Sequence, residues 1–325
     1  MKIGLIGTGA YGVAMALMLN KNNKDIIMWT ENEDKVKQYK KDKCIKDIIP
    51  GIKCPSNIKL TSSYEEVMKD RDIVFIMSTA HFVGNICKNI KPYLKKEQII
   101  CIASKGIENN SCEFLSNIAR ETLKTRKICI ISGGSFAIDM ANNNPVALTI
   151  ASKSPKSRKI VKKALQSDTV KLRESSDIIG VQICGSIKNV IALAAGMLNG
   201  MKYPESTQCF LITESIHDIK ALIGALGGKP KTILSYAGVG DLLLTCTSTK
   251  SRNYTFGKLI GEGMSKEEIE EYVKNNTVEG YYTLKSIYKL VRKKEIKMPV
   301  VDLIYKIVMN GDNPDNLAKF LIDKQ

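Results

Sequence analysis

The sequence predicts an α/β N-terminal domain with a doubly wound, mostly parallel sheet, followed by an all-helical C-terminal domain. Three observations carry this prediction. Short apolar runs alternate with polar helical stretches from Met1 to Asp177. Strand signals cease from Ile178 onward. A glycine-rich turn follows the first apolar run directly. Strand–helix–strand alternation suits a parallel sheet covered on both faces, because each parallel pair needs a crossover, usually a helix.

Lys2–Ile6 reads as the first strand and Gly12–Asn20 as the first helix, with Ala14, Ala16, Leu17 and Leu19 supplying its apolar positions. Asp25–Trp29, Asp72–Met77, Gln98–Ala103, Lys127–Ser132 and Ala147–Ala151 read as further strands, with Cys112–Leu123 as an intervening helix. Past a boundary near Ser175–Asp177, helices are expected over Ile178–Asn199, Thr207–Leu226, Met264–Asn275, Leu284–Lys293 and Pro299–Met309. The expected domains are therefore residues 1–177 and 178–325. A chain of 325 residues agrees with two domains at about 150 residues each.

Composition narrows the function. With 44% hydrophobic and 25% charged residues, both halves can bury a core, which excludes wholesale disorder. No uncharged apolar run reaches about 18 residues, so no transmembrane helix is expected. The start, Met-Lys and then an apolar run into glycines, lacks the pattern of a signal peptide, and a cytoplasmic location is expected. Net charge is +16, from 49 Lys+Arg against 33 Asp+Glu. The basic residues are dispersed, and the densest runs, Lys35–Lys43 and Arg292–Lys297, are short and broken. No nucleic-acid-binding signature accompanies them, so nucleic acid is not an expected partner. A positive field still attracts small phosphorylated anions.

Cysteine usage points to a reducing compartment. The nine residues (Cys44, Cys54, Cys87, Cys101, Cys112, Cys129, Cys184, Cys209 and Cys246) form no C-x-x-C pair, and several sit in apolar strand-like runs as small hydrophobes. With only His81 and His217 beside them, no zinc spacing can be assembled and no metal is expected. His81 reads as a wall or packing residue after a strand, and His217 as a surface or packing residue in a helix.

The chemistry begins at Gly7-Thr8-Gly9-Ala10-Tyr11-Gly12, a G-x-G-x-x-G between a strand and a helix. In that context it reads as the dinucleotide fingerprint of a Rossmann domain. Gly7 would make the tight turn, Gly9 would admit a pyrophosphate to the backbone, and Gly12 would let helix and strand pack closely. The helix N-terminus would add its free N–H groups and positive potential. Glu31, at the end of the second strand with Asp34 nearby, is placed to bond a ribose 2′-hydroxyl and repel a 2′-phosphate, which leans towards NAD over NADP. An exposed loop carboxylate would explain Glu31 equally well.

Four later segments are candidates for the reaction. Lys105, in Ala103-Ser104-Lys105-Gly106, follows a strand, where ligands bind in open parallel sheets. Gly133 and Ser135 lie in Ser132-Gly133-Gly134-Ser135-Phe136-Ala137, also after a strand. Lys188 shares its helical face with Val181, Cys184, Gly185, Ile191, Ala192 and Ala195. Burying its ammonium would lower its pKa and suit it to proton transfer. Ala237 to Cys246, then Ser251-Arg252-Asn253, form the fourth segment. Asp241 also suits a plain helix-start carboxylate, and Lys105 a solvated loop lysine.

These segments resemble NAD(P)-dependent glycerol-3-phosphate dehydrogenases of the bacterial soluble type. The likeness runs in order through IPGIKCP, STAHF, ASKGIE, ISGGSFA, GVQICGSIKNVIALAAGM, AGVGDLLLTCTSTKSRN, TVEGYYT and EIKMP. It implies reversible reduction of dihydroxyacetone phosphate to sn-glycerol 3-phosphate for glycerophospholipid synthesis, with NAD or NADP, in a homodimer without integral membrane association. It assigns general acid/base work to Lys188, and contact with both substrate and cofactor to Lys105. Gly133, Ser135, Asp241, Thr245, Ser251, Arg252 and Asn253 line the substrate, with Asp241 near the catalytic amine. Ala10, Tyr11, Ala137, Arg252, Thr277 and Glu279 contact the cofactor. Gly134 stands where the family usually has Pro, and Glu31 where many members have Arg or His. Two other classes fit parts of the pattern: a 6-phosphogluconate- or 3-hydroxy-acid-type dehydrogenase, and a non-catalytic dinucleotide sensor. The first uses Lys-x-x-x-Asn, whereas Lys188 and Asn189 are adjacent here. The second has no need for Lys188, Asp241 and Arg252 together.

Overall fold

The computed structural model describes residues 1–23, 25–42, 48–49, 51–109 and 111–323. Lys43, Cys44 and Pro50 of the segments above lie outside the described residues. The chain forms two compact units, residues 1–104 with 115–178, and residues 105–114 with 179–325.

The first unit is built on one eight-stranded sheet: β1 (Lys2–Ile6), β2 (Asp25–Trp29), β3 (Ile58–Thr61), β4 (Ile73–Ile76), β5 (Ile99–Ile102), β6 (Ile128–Ser132), β7 (Val146–Ala151) and β8 (Val170–Ser175), in the order β3-β2-β1-β4-β5-β6-β7-β8. Every neighbouring pair is parallel except β6–β7. The central strands β4 (IVFI) and β5 (IICI) are buried throughout, as strands covered on both faces must be. The helices of this unit are α1 (Ala10–Asn20), α2 (Glu33–Asp42), α3 (Tyr64–Met68), α4 (Val83–Ile90), α5 (Leu115–Leu123), α6 (Ala137–Ala141) and α7 (Pro155–Leu165). The chain leaves β1 on one side for β2 and returns on the other for β4, so the glycine turn after β1 lies at the reversal of strand order, where open sheets bind ligands.

The expected strands are present with ends shifted by a residue or so, and β3 and β8 are additions. Both are edge strands. Lys59 of β3 and Lys171 and Arg173 of β8 face solvent, which dilutes the apolar signal. The expected helix from Cys112 begins at Leu115, because Cys112 has a φ of 57°. Residues 105–114 pack with the helical unit instead of the sheet unit. An antiparallel bridge between Ile107 and Phe114 closes the excursion, and Ile107 is buried in the helical core.

The second unit contains α8 (Ile178–Gly200), α9 (Glu205–Ala225), α10 (Asp241–Cys246), α11 (Arg252–Gly261), α12 (Lys266–Asn275), α13 (Glu279–Lys293), α14 (Pro299–Tyr305) and α15 (Asn316–Asp323). By length and composition α8 could cross a bilayer, but 89% of its most apolar window is buried within the fold. It is the core helix. Ile183, Ile187, Ile191 and Met197 have no exposed surface, and each such side chain is worth roughly 1.5–3 kcal/mol. That burial offsets the several kcal/mol that a desolvated ion costs, and so the helix can carry Lys188.

Small residues set the spacing of α8 and α11. A Cβ added at Gly196 would lie 2.0 Å from the carbonyl oxygen of Tyr254, and one at Gly257 2.0 Å from that of Leu193. The two backbones touch reciprocally, the C-terminal end of α8 lying along α11. Gly196→Ala must push α11 away, because the obstacle is backbone and not a side chain. Urea unfolding of that variant is expected to show a loss at or above the top of the roughly 1–3 kcal/mol typical of overpacking. A wild-type midpoint would contradict the close approach.

Candidate active site

In the sheet unit, the glycine turn has three different reasons for its three glycines. Gly7 has a φ of 123°, and an added Cβ would lie 2.6 Å from the carbonyl oxygen of Met77, just past β4. Gly12 would place a Cβ 2.4 Å from the carbonyl oxygen of Gly7. Gly9 is different: it is exposed, has an ordinary φ of −68°, and a Cβ there meets nothing within 4 Å. The fold does not need glycine at that position, but a dinucleotide phosphate lying over the N-terminus of α1 does. Ala10 and Tyr11 open α1. The Tyr11 hydroxyl is 3.0 Å from Ser135 Oγ, tying the first turn to the loop after β6. Ala137 begins α6 in the same loop. Gly133 is buried with a packing reason of its own, since a Cβ would lie 2.4 Å from the carbonyl oxygen of Ala147.

Glu31 follows β2 and is exposed. Nearby, Trp29 stacks on Tyr64 with ring centroids 4.2 Å apart. Burial, with a further push from the Glu31 charge, raises the Tyr64 phenol above its usual pKa. Asp34 sits in the first turn of α2 and pairs with Lys37 at 3.2 Å, an ordinary exposed helix-start carboxylate.

In the helical unit, one buried carboxylate joins two amines. Asp241 is 1% exposed and Lys188 7%. Lys188 Nζ donates to Asp241 Oδ1 at 2.5 Å and to Thr245 Oγ1 at 2.9 Å. Lys105 Nζ donates to Asp241 Oδ2 at 2.6 Å. The Thr245 hydroxyl in turn donates to the Asp241 carbonyl oxygen at 2.6 Å, which turns its lone pairs towards the ammonium. Two of the three Lys188 N–H groups are thus committed, leaving one to donate elsewhere.

Local backbone presents the carboxylate. Before α10, Tyr236–Gly240 forms a wide turn in which Gly238 has φ −92° and ψ −108°. An added Cβ at Gly238 would lie 1.9 Å from the carbonyl oxygen of Ile233. Asp241 is therefore a helix-start residue and a bridging carboxylate at once. Electrostatics follow from the burial. Desolvation, aided by the Lys105 charge, outweighs the attraction of Asp241 and brings Lys188 down to about 8. An amine there is mostly protonated at neutral pH yet gives up its proton readily. Neither Cys87 nor Cys129 offers a thiolate: burial pushes Cys87 up to about 12, and Cys129 up to about 11 against the lowering by its Ser152 hydrogen bond.

The remaining candidate residues of the helical unit lie at or just before the starts of α11 and α13. Ser251 caps α11 through Tyr254 N–H, and Arg252, the first residue of that helix, is exposed. Asn253 donates to Asn189 Oδ1 at 3.0 Å, so the Arg252 turn abuts the residue that follows Lys188. Thr277 is exposed, and Glu279 opens α13 and accepts from Asn189 Nδ2 at 3.3 Å. Asn189 was not among the expected site residues. Nothing in the sequence marks it, since α8 also carries Gln182, Ser186 and Asn199. His81 is exposed against Phe82, and His217 is exposed on α9. Among the described residues no cluster suits a metal.

A glycine cradle at the strand-order reversal of a parallel sheet, in a chain that also buries an amine on a shared carboxylate, defines a two-domain nicotinamide-dependent dehydrogenase. Comparison with known proteins narrows the class. Residues 2–158 match the family profile for the NAD-dependent glycerol-3-phosphate dehydrogenase N-terminus, and residues 177–319 that for its C-terminus. A glycerol-3-phosphate dehydrogenase (NAD(P)+) of Bartonella tribocorum is 34% identical over 98% of this chain and 96% of its own length. Its counterpart in Clostridium tetani is 35% identical over 96% and 89%. The crystal structure of glycerol-3-phosphate dehydrogenase from Coxiella burnetii superposes with a TM-score of 0.93 at 27% identity, covering 99% of each chain. The chain belongs to the NAD-dependent glycerol-3-phosphate dehydrogenase family.

The cradle geometry makes a separable prediction. Gly9→Ala is expected to unfold like the wild type while weakening NADH binding, read by cofactor fluorescence. Gly12→Ala is expected to lose stability. Equal stability loss in both would contradict the open space above Gly9.

Proposed function

We propose that the protein reversibly reduces dihydroxyacetone phosphate to sn-glycerol 3-phosphate, using NADH or NADPH, and so supplies the backbone of glycerophospholipids. The observation that carries this reading is the Lys188–Asp241–Lys105 cluster, with the N-terminal turn of α11 tied to the Lys188 helix by the Asn253–Asn189 bond, in a chain of this family. The bound dinucleotide would be held by Gly7, Gly9, Gly12, Ala10 and Tyr11 and would supply a hydride to the ketone carbon.

The chain's own residues do the rest. As the carbon–oxygen π bond opens, negative charge grows on the ketone oxygen. The free N–H of Lys188 donates a proton to it, and the positive charge of Lys105 lowers the energy of that oxygen. Asp241 keeps both amines aimed and Lys188 largely charged. In the oxidative direction neutral Lys188 takes the proton back. The Arg252 guanidinium holds phosphate oxygens through paired N–H bonds, with Ser251, Asn253 and the positive end of α11 around it. Such a remote grip fixes the ketone, and positioning of this kind is worth up to about 7–11 kcal/mol. Thr277 and Glu279 serve the nicotinamide half, and Gly133, Ser135 and Ala137 form the ligand-facing loop after β6.

Glu31 supports a preference for NADH, because a carboxylate bonds a ribose hydroxyl and repels a phosphate. Free thiols at all eight described cysteines fit a cytoplasmic enzyme. A homodimer is the assembly that the family resemblance implies.

The decisive assay follows NADH and NADPH consumption with dihydroxyacetone phosphate and with unphosphorylated dihydroxyacetone. Turnover is expected only with the phosphate ester and faster with NADH; Glu31→Ala should narrow the cofactor difference. No phosphate dependence would overturn the substrate assignment. Lys188→Ala is expected to lower kcat by about 10²–10⁴-fold with NADH binding retained. In the wild type, ketone reduction needs the protonated amine, so kcat falls as pH rises through about 8. Asp241→Asn removes the group that raises the Lys188 pKa, so this limb must move to lower pH. A limb unmoved in that variant would separate Asp241 from Lys188.

A further inference from the structure

Four groups on three helices form a closed polar loop. The Gly280 backbone N–H donates to Asn253 Oδ1 at 2.8 Å. Asn253 Nδ2 donates to Asn189 Oδ1 at 3.0 Å, and Asn189 Nδ2 donates to Glu279 Oε2 at 3.3 Å. The loop starts and ends on neighbouring residues at the N-terminus of α13. Its polarity has one solution. A backbone N–H can only donate and an ionised carboxylate can only accept, so both intervening amides are forced into the observed orientation. Asn189 and Asn253 are buried, and a Cβ at Gly280 would lie 2.6 Å from the Asn189 carbonyl oxygen, which leaves no room to rearrange.

The loop joins groups with different work. Asn253 belongs to the turn that carries Arg252, Glu279 is the carboxylate offered to the dinucleotide, and Asn189 follows Lys188 on α8. The geometry points to Asn189 as a positioning residue that holds the Arg252 turn and the Glu279 carboxylate to the Lys188 helix through one amide, so that grip on the anionic substrate and grip on the dinucleotide depend on the same side chain. This rests on the reading of the site given above. Lys188 Nζ and the Asp241 carboxylate bond to one another, with Thr245 on the first and Lys105 on the second. Asn189 acts through the groups that it orients.

The two arms can be cut separately. Asn189→Leu keeps the approximate volume and removes both bonds. Asn189→Asp keeps an acceptor for Asn253 but sets a second carboxylate against Glu279. Adding Glu279→Gln to Asn189→Asp turns the second bond round, with the introduced amide donating to the introduced carboxylate. The measurements are KM and kcat for dihydroxyacetone phosphate, the NADH dissociation constant by fluorescence, and the melting temperature, all on the full chain.

Asn189→Leu is expected to raise KM for dihydroxyacetone phosphate by about ten-fold or more, the scale of a lost bond to a buried polar group, with a smaller fall in kcat. Asn189→Asp should leave that KM within about three-fold of wild type while weakening NADH binding several-fold, as like charges facing one another do. Pairing it with Glu279→Gln should bring NADH binding to the level of Glu279→Gln alone. The inference is overturned if the Asn189→Leu and Asn189→Asp variants raise KM equally, or if folded Asn189→Leu shows a wild-type KM. It is also overturned if Asn189→Asp weakens NADH binding as much in the presence of Glu279→Gln as in its absence. Should Asn189→Leu not fold, the double-mutant cycle of Asn189→Asp with Glu279→Gln decides by itself. Failure of the reaction assignment looks different: the wild type would then consume no NADH with dihydroxyacetone phosphate, while the NADH-binding cycle would still report on the Asn189–Glu279 link.

Discussion

A carboxylate shared between two amines in a water-poor interior is the constraint on which the helical unit depends. An isolated charge at either end of the Lys188–Asp241 pair would be costly to bury. Together with Lys105 the two leave one net positive charge, held by hydrogen bonds to the shared carboxylate and to Thr245. That surplus charge would be a defect in a purely structural core. It becomes useful when a neutral ketone must turn into an alkoxide within reach. The aliphatic surface of α8 has a double role, stabilising the fold and removing the water that would otherwise hold Lys188 near its ordinary pKa.

Geometry is transmitted to this cluster by backbone more than by side chains. Glycines on α8 and α11 let the two helices meet at main-chain distance, and the wide turn before α10 rotates Asp241 inward. Neither arrangement tolerates much drift. The helix carrying the proton donor and the helix carrying the anion-binding turn are therefore set against each other before any ligand arrives, which is what catalysis by positioning requires.

Much of this was legible from residue patterns. The central strands and α8 declare themselves because continuous apolar runs have few other uses, and the cradle because its glycines fall between a strand and a helix. The edge strands β3 and β8 were not legible, since exposed Lys59 interrupts the first and exposed Lys171, Arg173 and Glu174 the second, and their identity comes from pairing with a neighbour. The affiliation of residues 105–114 was hidden as well: a ten-residue excursion has no periodicity, and only the burial of Ile107 and the Lys105–Asp241 bond reveal it. Lys188 could be singled out from its face of the helix, and Asn189 could not, because an amide looks the same whether it faces water or closes a loop of donors and acceptors. That loop is a tertiary fact, assembled from positions 64 and 90 residues away from Asn189.

The chain crosses between its two units three times, after residues 104, 114 and 178. A protein whose halves were joined by one linker could be shuffled in evolution or in the laboratory by a single cut, each half bringing its own specificity. Here such a cut near residue 177 leaves a lysine of the helical cluster on the sheet-bearing piece, with Ile107 stripped of its surroundings. A chimera made at that joint mates one lineage's Lys105 with another's Asp241. The small excursion makes each half depend on the other for a complete cluster.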